Sequence, residues 1–190
     1  LFGSPYEEAS VGKPLAGRAG AYQNVDCFLD WHPWYNNHAC YETCNSVFVL
    51  MLTFQGKAAH GSTPWLGHSA LDGALLFAHA LEILREHLPP DGPNKGPTIN
   101  YTFTDVGAKF AIVVPATTTM QIYGRAQTLE ISQDMYRRIL AAAEGCARAT
   151  STTVKPRLIT HTHSKLPNTV LSVVVYDNLV GVGVPEYTEE

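Results

Sequence analysis

Four groups of side chains in this sequence are equipped to act on a polar bond. Glu7 and Glu8 are adjacent carboxylates after a Gly3-Ser4-Pro5 turn, where a short strand would end in a loop. Neighbours there point to different sides, so one is free to move protons while the other binds a cation; the same pair on a solvated surface does neither. Trp31-His32-Pro33-Trp34 sets an imidazole at a strand end between bulky aromatics, a place for an oriented ligand nitrogen or for a packed histidine. Lys57-Ala58-Ala59-His60-Gly61-Ser62 lies in a turn whose small residues let His60 project outward to meet a ligand. Arg125 shares a strand face with Gln121 and Tyr123, opposite Met120 and Ile122, so its fork either grips a carboxylate at the sheet's rim or is a routine surface arginine. His38, Cys40 and Cys44 add further ligand types, but Cys-x3-Cys lacks zinc-knuckle spacing and has no second cysteine pair.

The elements that must position these groups are legible between residues 47 and 163. A β-rich run at 47–54 predicts a strand broken by Gln55-Gly56-Lys57. Residues 69–88 carry Leu71, Ala74, Ala78, Leu81 and Leu88 at helical spacing and end in Pro89-Pro90-Asp91-Gly92-Pro93. Two strands follow at 99–104 and 117–125, then a helix at 132–149 with Met135, Ile139, Ala142, Cys146 and Ala149 on one stripe, then a β-branched strand at 152–162. Strand, helix, strand, strand, helix, strand is the split βαβ, ferredoxin-like α+β sandwich. The flanks lie outside it. Residues 1–33 predict an opening strand, a small-residue segment at 16–22 and a strand at 27–31, and residues 168–183 predict a returning helix. They read as pieces of another domain or as extra layers on one α+β domain.

Composition narrows the partners. Of 190 residues, 45% are hydrophobic and 16% charged, which is globular composition. With 13 Lys+Arg against 17 Asp+Glu, a net charge of -4 and no basic run, nucleic acid and anionic membrane are excluded as expected partners. The apolar runs at 47–54 and 170–175 fall far short of the ~20 residues that span a bilayer. Four cysteines are too few for a disulfide scaffold and suit a reducing compartment, so a cytoplasmic location is expected. The chain opens at Leu1, leaves a signal peptide unassessable, and reads as a fragment.

Phe2-Gly3-Ser4-Pro5-Tyr6-Glu7-Glu8, Gly12-Lys13, Trp31-His32-Pro33, Gly56-Lys57-Ala58-Ala59-His60 and Gly67-His68-Ser69-Ala70-Leu71-Asp72 together resemble the M20 metallopeptidase and amidohydrolase family, over nearly the whole chain. The likeness is to the branch with the B component of aminobenzoyl-glutamate hydrolase, amidohydrolases and dipeptidases. Glu8 and His32 are 24 positions apart, the spacing of that family's metal ligands. The resemblance implies a catalytic-domain piece at 1–45, a ferredoxin-like lid and dimerisation domain at 46–165, and a return into an α/β zinc-peptidase-like catalytic domain at 166–190. It implies that Glu7 is the general base, that Glu8 and His32 are ligands of a two-metal centre of zinc or manganese, and that His60 reaches the partner's active site and polarises the scissile carbonyl. A divalent cation supplies hydroxide at neutral pH, and a mobile glutamic acid protonates the departing amine. The resemblance further implies a homodimer paired through the lid, and it assigns substrate binding to Arg125 and Asn168.

Two departures stand beside this likeness. Ala111-Ile112 precede Val113-Val114-Pro115 where that branch carries Pro-Asn, which removes one amide from substrate recognition. The family's other metal ligands belong upstream of the Glu-Glu motif and near its C terminus, outside this chain. The expected function is therefore a metal-dependent amidohydrolase acting on an N-acyl amino acid, an aminobenzoyl-glutamate-like compound or a dipeptide, with the 190-residue piece itself inactive. Two other readings remain: a non-catalytic dimerisation module or pseudo-enzyme, and a zinc-binding domain built from His32, His38, Cys40 and Cys44.

Overall fold

The structure is a computed structural model that describes residues 1–90 and 96–185. Four strands, β1 (Ser46–Gln55), β2 (Thr98–Asp105), β3 (Thr117–Ala126) and β4 (Thr153–Thr162), form one sheet in the order β2-β3-β1-β4. Every neighbouring pair is antiparallel. The helices are α1 (Gly12–Arg18), α2 (Ala70–Arg85), α3 (Leu129–Ala149) and α4 (Thr169–Val182). Helix α2 joins β1 to β2 and α3 joins β3 to β4, so the two split βαβ units interleave into the α+β ferredoxin-like sandwich that the element order predicts.

The two long helices start where capping chemistry dictates. Ser69 Oγ accepts from the Asp72 backbone N–H at 3.1 Å, and Thr128 Oγ1 accepts from Ile131 at 3.3 Å. Both helices pack on one face of the sheet. Phe48, Leu50, Leu52 and Phe54 alternate inward from β1 and meet Ala74, Phe77 and Leu81 of α2 and Met135 and Ile139 of α3, all wholly buried or within 1% of it. Gly124 is required opposite Phe48, because a Cβ there would lie 2.1 Å from the ring. The buried stripe of α3 is Ser132, Met135, Ile139, Ala143 and Ala147, so Ala142 and Cys146 sit at its edge and Ala149 is exposed. The expected stripe steps by four and three in alternation, a mean of about 3.5 residues, and so falls behind the 3.6-residue turn along the helix, whereas the buried stripe keeps to steps of four after Met135.

A polar relay crosses this core. Ser46 Oγ donates to the Thr162 carbonyl at 2.6 Å, Ser132 Oγ lies 2.8 Å from Ser46 Oγ, and His161 Nε2 lies 2.7 Å from Ser132 Oγ. Burial, reinforced by His163, holds the His161 imidazole below its ordinary range.

The flanks differ from expectation. Residues 1–5 form no strand, and neither do residues 27–31: a strand needs a ladder partner, and the sheet offers them none. The Glu7–Ala9 segment is instead a single 3-10 turn, entered and left through the left-handed residues Tyr6 and Ser10. Helix α4 forms as expected, and Asn168 Oδ1 caps it by accepting from Leu171 N at 3.0 Å. No residue of α1 or α4 is buried. The expected helix stop at Asp91-Gly92-Pro93 and the last five residues of the expected return segment lie outside the described residues. Among the described residues, no helix is long and apolar enough to cross a membrane.

Candidate active site

Across the open face of the sheet, Val49 pairs with Tyr123 on one side and Thr160 on the other. The Glu7–Ala9 turn crosses this row. Tyr123 donates its hydroxyl to the Glu8 carbonyl, and Thr160 Oγ1 donates to the Ser10 carbonyl at 3.0 Å. Polar side chains from β3 and β4 thus pin the acidic turn to the sheet by its backbone, leaving the Glu7 and Glu8 carboxylates exposed.

Two residues along β3 from Tyr123, Arg125 lies with its guanidinium carbon 4.9 Å from the Tyr123 ring centre and donates through Nη1 to Asn100 Oδ1 at 3.2 Å. The ring and the amide orient the fork. Asn100 and Tyr123 also line a shallow recess of about 170 Å³ with Tyr101, Thr102 and Gln121. The acidic turn and Arg125 therefore share one end of one sheet face, with a polar recess beside them. Tyr123 joins all three features. Strand periodicity alone shows only that Tyr123 shares a face with Arg125, and it assigns Asn100, on the neighbouring strand, no role.

His32 lies in an irregular segment and is exposed. Its Nδ1 is 2.8 Å from the Pro33 carbonyl, which can only accept, so the proton is on Nδ1 and Nε2 carries the lone pair a metal ligand needs. Its ring meets Trp34 edge-on at 6.2 Å. Among the described residues, however, no group of three or more His, Cys, Asp or Glu side chains is placed to hold a metal ion. Glu8 and His32 do not make a metal site by themselves. The zinc domain expected from His32, His38, Cys40 and Cys44 does not assemble either. That stretch runs without secondary structure, and backbone carbonyls make its ties: Cys40 accepts from Ser172 Oγ at 3.2 Å and Cys44 accepts from Lys165 N at 3.1 Å.

Those ties form a neck where the chain enters and leaves the sandwich. Thr43 Oγ1 donates to the Lys165 carbonyl at 2.6 Å, and Lys165 Nζ pairs with Asp30 at 3.0 Å. The Asp30 hydrogen bond holds the Lys165 ammonium above its ordinary range. Asn168 follows this neck, with its side-chain oxygen occupied in the α4 cap.

His60 is at the other end of the molecule. Arg125 pairs with Val47 and Tyr123 with Val49, whereas His60 follows the last residue of β1, Gln55, and bridges to Val113. From the Val47 row to the Gln55 row is about 26 Å of strand. Within one chain, His60 and the Glu7–Arg125 end are thus held apart by a rigid sheet.

An antiparallel four-stranded sheet with two helices on one face is the class of domain that the fold defines. The chain belongs to the M20 peptidase dimerisation domain family, whose model matches residues 48–145. It is 32% identical over 191 residues to the B component of p-aminobenzoyl-glutamate hydrolase from Escherichia coli strain K12, covering all of this chain and 39% of that protein. It is 27% identical over 192 residues to the Xaa-Arg dipeptidase of Mus musculus, covering all of this chain and 43% of that protein. The chain thus spans about two-fifths of the length of these curated relatives. Among solved structures, the aminobenzoyl-glutamate utilization protein of Klebsiella pneumoniae superposes with a TM-score of 0.56 at 19% identity, over 74% of this chain and 34% of that one. An amidase of the hydantoinase/carbamoylase family from Burkholderia vietnamiensis gives 0.59 at 16% identity, over 74% of this chain and 33% of that one. These two likenesses carry the fold.

Proposed function

We propose that this chain is the central part of a divalent-metal-dependent amidohydrolase that cleaves an amide bond of an N-acyl amino acid, an aminobenzoyl-glutamate-like compound or a dipeptide, and that works as a homodimer. The curated relatives, named as a hydrolase of an aminobenzoyl-glutamate and as a dipeptidase, support the substrate class. In this reading residues 1–45 and 166–190 belong to a catalytic domain and residues 46–165 are the lid that pairs. The exposed apolar side chains of α1 and α4, such as Leu15, Val170, Val173 and Val180, fit elements that pack into a larger body. Four unpaired cysteines are compatible with a cytoplasmic location.

Each residue then has a task matched to its chemistry. Glu7, exposed on a pinned turn, takes a proton from the attacking water and returns it to the leaving amine. Arg125, steadied by Asn100 and Tyr123, binds the substrate carboxylate, with Asn168 as a further polar contact at the neck. His60 donates a hydrogen bond to the scissile carbonyl. Glu8 and His32 are proposed as two ligands of a zinc or manganese centre whose other ligands come from elsewhere in a longer protein. They do not enclose a cation alone, so the steps assigned to this chain are proton transfer and hydrogen bonding.

The observation that carries this reading is the ~26 Å of β1 between the Val47 row, where Arg125 lies, and the Gln55 row, beyond which His60 follows. One chain cannot bring both to one substrate, whereas a two-fold partner can supply the missing imidazole. Pairing has surfaces to use: β2 is a sheet edge, and α2 turns Leu75, Leu76 and Ile83 outward.

The test uses a protein of the relatives' full length containing this chain, supplied with zinc or manganese and assayed on aminobenzoyl-glutamate and on dipeptides. Glu7→Gln and His60→Ala should each abolish turnover. Mixing the two variants under protomer exchange should restore about a quarter of wild-type activity, because each mixed dimer regains one complete site. A mixture that stays inactive while its dimers exchange would refute sharing of His60, and normal turnover by Glu8→Ala or His32→Ala would refute the metal assignment.

A further inference from the structure

The loop bearing His60 is held on both sides by backbone hydrogen bonds. Lys57 and His68 exchange both of theirs, at 2.8 and 2.9 Å, Val114 N donates to the Ala59 carbonyl at 2.9 Å, and Gly61 N donates to the Ile112 carbonyl at 2.5 Å. Gly61 permits that approach, since a Cβ there would sit 2.9 Å from the Ile112 oxygen. The chain turns back at once, with Thr63 N donating to the His60 carbonyl at 2.9 Å. This rigid turn carries Ser62 under the imidazole. The Ser62 backbone N–H donates to His60 Nδ1 at 3.2 Å, and Ser62 Oγ lies 2.8 Å from the same nitrogen.

A backbone N–H has no lone pair to offer. His60 Nδ1 must therefore present its own, because a protonated Nδ1 would set two N–H groups against each other. The serine hydroxyl then donates to Nδ1 as well. A neutral imidazole with an accepting Nδ1 carries its proton on Nε2, the nitrogen farther from the chain on an exposed ring.

We infer that Ser62 is a positioning residue that fixes His60 in the Nε2–H form, making the outer nitrogen a hydrogen-bond donor rather than a base. The use of that donor on a scissile carbonyl rests on the function proposed above; the proton's position does not. His32 is set the opposite way, its Nδ1–H spent on Pro33 and its Nε2 left with a lone pair. Local backbone groups thus specify one histidine to donate and the other to bind a cation.

Long-range ¹H–¹⁵N spectra of the 190-residue chain, labelled at histidine ring nitrogens and recorded above the imidazole titration, decide the point. His60 should show a protonated-type Nε2 and an unprotonated-type Nδ1; the reverse pattern overturns the inference. Ser62→Ala keeps the backbone donor that discriminates between the tautomers, and a hydroxyl can either donate to or accept from Nδ1, so the Nε2–H form should persist; Ser62→Pro deletes that donor and should shift the ratio about fivefold toward Nδ1–H, the worth of one hydrogen bond. An unchanged ratio in Ser62→Pro overturns the inference. In the full-length protein, Ser62→Pro should lower kcat with KM unchanged, in proportion to the Nε2–H fraction lost. Absence of any amidase activity would count against the proposed function while the ring spectra still decided the tautomer.

Discussion

The sandwich and its flanks use the same apolar residue types with opposite outcomes. Between Ser46 and Thr162, one face of the sheet and the helices on it wholly enclose Phe48, Leu50, Phe77, Met120 and Ile122, while Leu75, Ile83 and Phe110 stay outside; among the described residues of the flanks no large apolar side chain is buried, and Trp31 is 83% and Val170 and Val182 are 73% and 86% exposed. Burial therefore follows topology rather than hydrophobicity. Residues in the sandwich find two helices and a sheet within the chain, whereas α4 is apolar around its circumference and meets no comparable surface. The exposed flanks are the parts that carry Glu7, Glu8, His32 and Asn168, so the proposed chemistry sits where the chain leaves most apolar surface uncovered.

The strongest way to break this contrast is to remove a ring from the sandwich. Phe77 is fully buried and lies 5.8 Å from Phe54, centre to centre. Phe77→Ala should cost about 3–5 kcal/mol in urea unfolding, the lost transfer energy plus a cavity that rigid neighbours close only in part. A cost below about 1 kcal/mol would mean that the sandwich does not govern the chain's stability.

How much was legible in the sequence follows the same division. In the sandwich, period and partner agree. Residues 47–54 are a β-rich run, 69–88 repeat at helical spacing, and each strand finds its neighbour within the chain, so six elements formed within a few residues of expectation. In the flanks, local preference had no ladder to join, and the expected strands at the N terminus and at 27–31 stayed irregular. The candidate site divides in another way. Residue types identified Glu7, His60 and Arg125 as candidates, but no one-dimensional spacing shows that Tyr123 and Thr160 pin the acidic turn, that Asn100 steadies Arg125, or that His60 sits at the far end of the sheet. Ser62 alone left a signal, a hydroxyl two residues beyond a histidine.

A middle-sized effect separates the two regions by pH. His161 is held below the ordinary imidazole range by burial and by His163, among the rings of Phe48 and Tyr136 and against Ser132. The unfolded chain therefore binds a proton that the folded chain refuses. Stability should be full above about pH 6.5 and decline as pH falls through that range toward the lowered folded value, as urea midpoints taken across pH will show. Ser132→Ala removes the relay's centre and should cost about 1–3 kcal/mol at neutral pH, since it strips partners from Ser46 and His161 inside the core. A midpoint that rises on acidification would reverse the sign and refute the account of His161.

The smallest effect is the most discriminating for the flanks. Val180 lies on α4 and is 65% exposed. Val180→Ser in this chain should change stability by no more than about 0.5 kcal/mol, because most of that side chain already lies in water. In a protein of the relatives' full length, where the proposed catalytic domain covers α4, the same substitution should cost about 1–2 kcal/mol, the transfer energy of a newly buried side chain. The two measurements bracket the domain boundary: a large cost already in this chain would show that α4 packs on the sandwich as one more layer, and a negligible cost in both would show that nothing covers it. Only a cost that appears with length supports the division at residues 45 and 166, and with it the assignment of Glu7, Glu8 and His32 to a body that this chain shares with sequence beyond it.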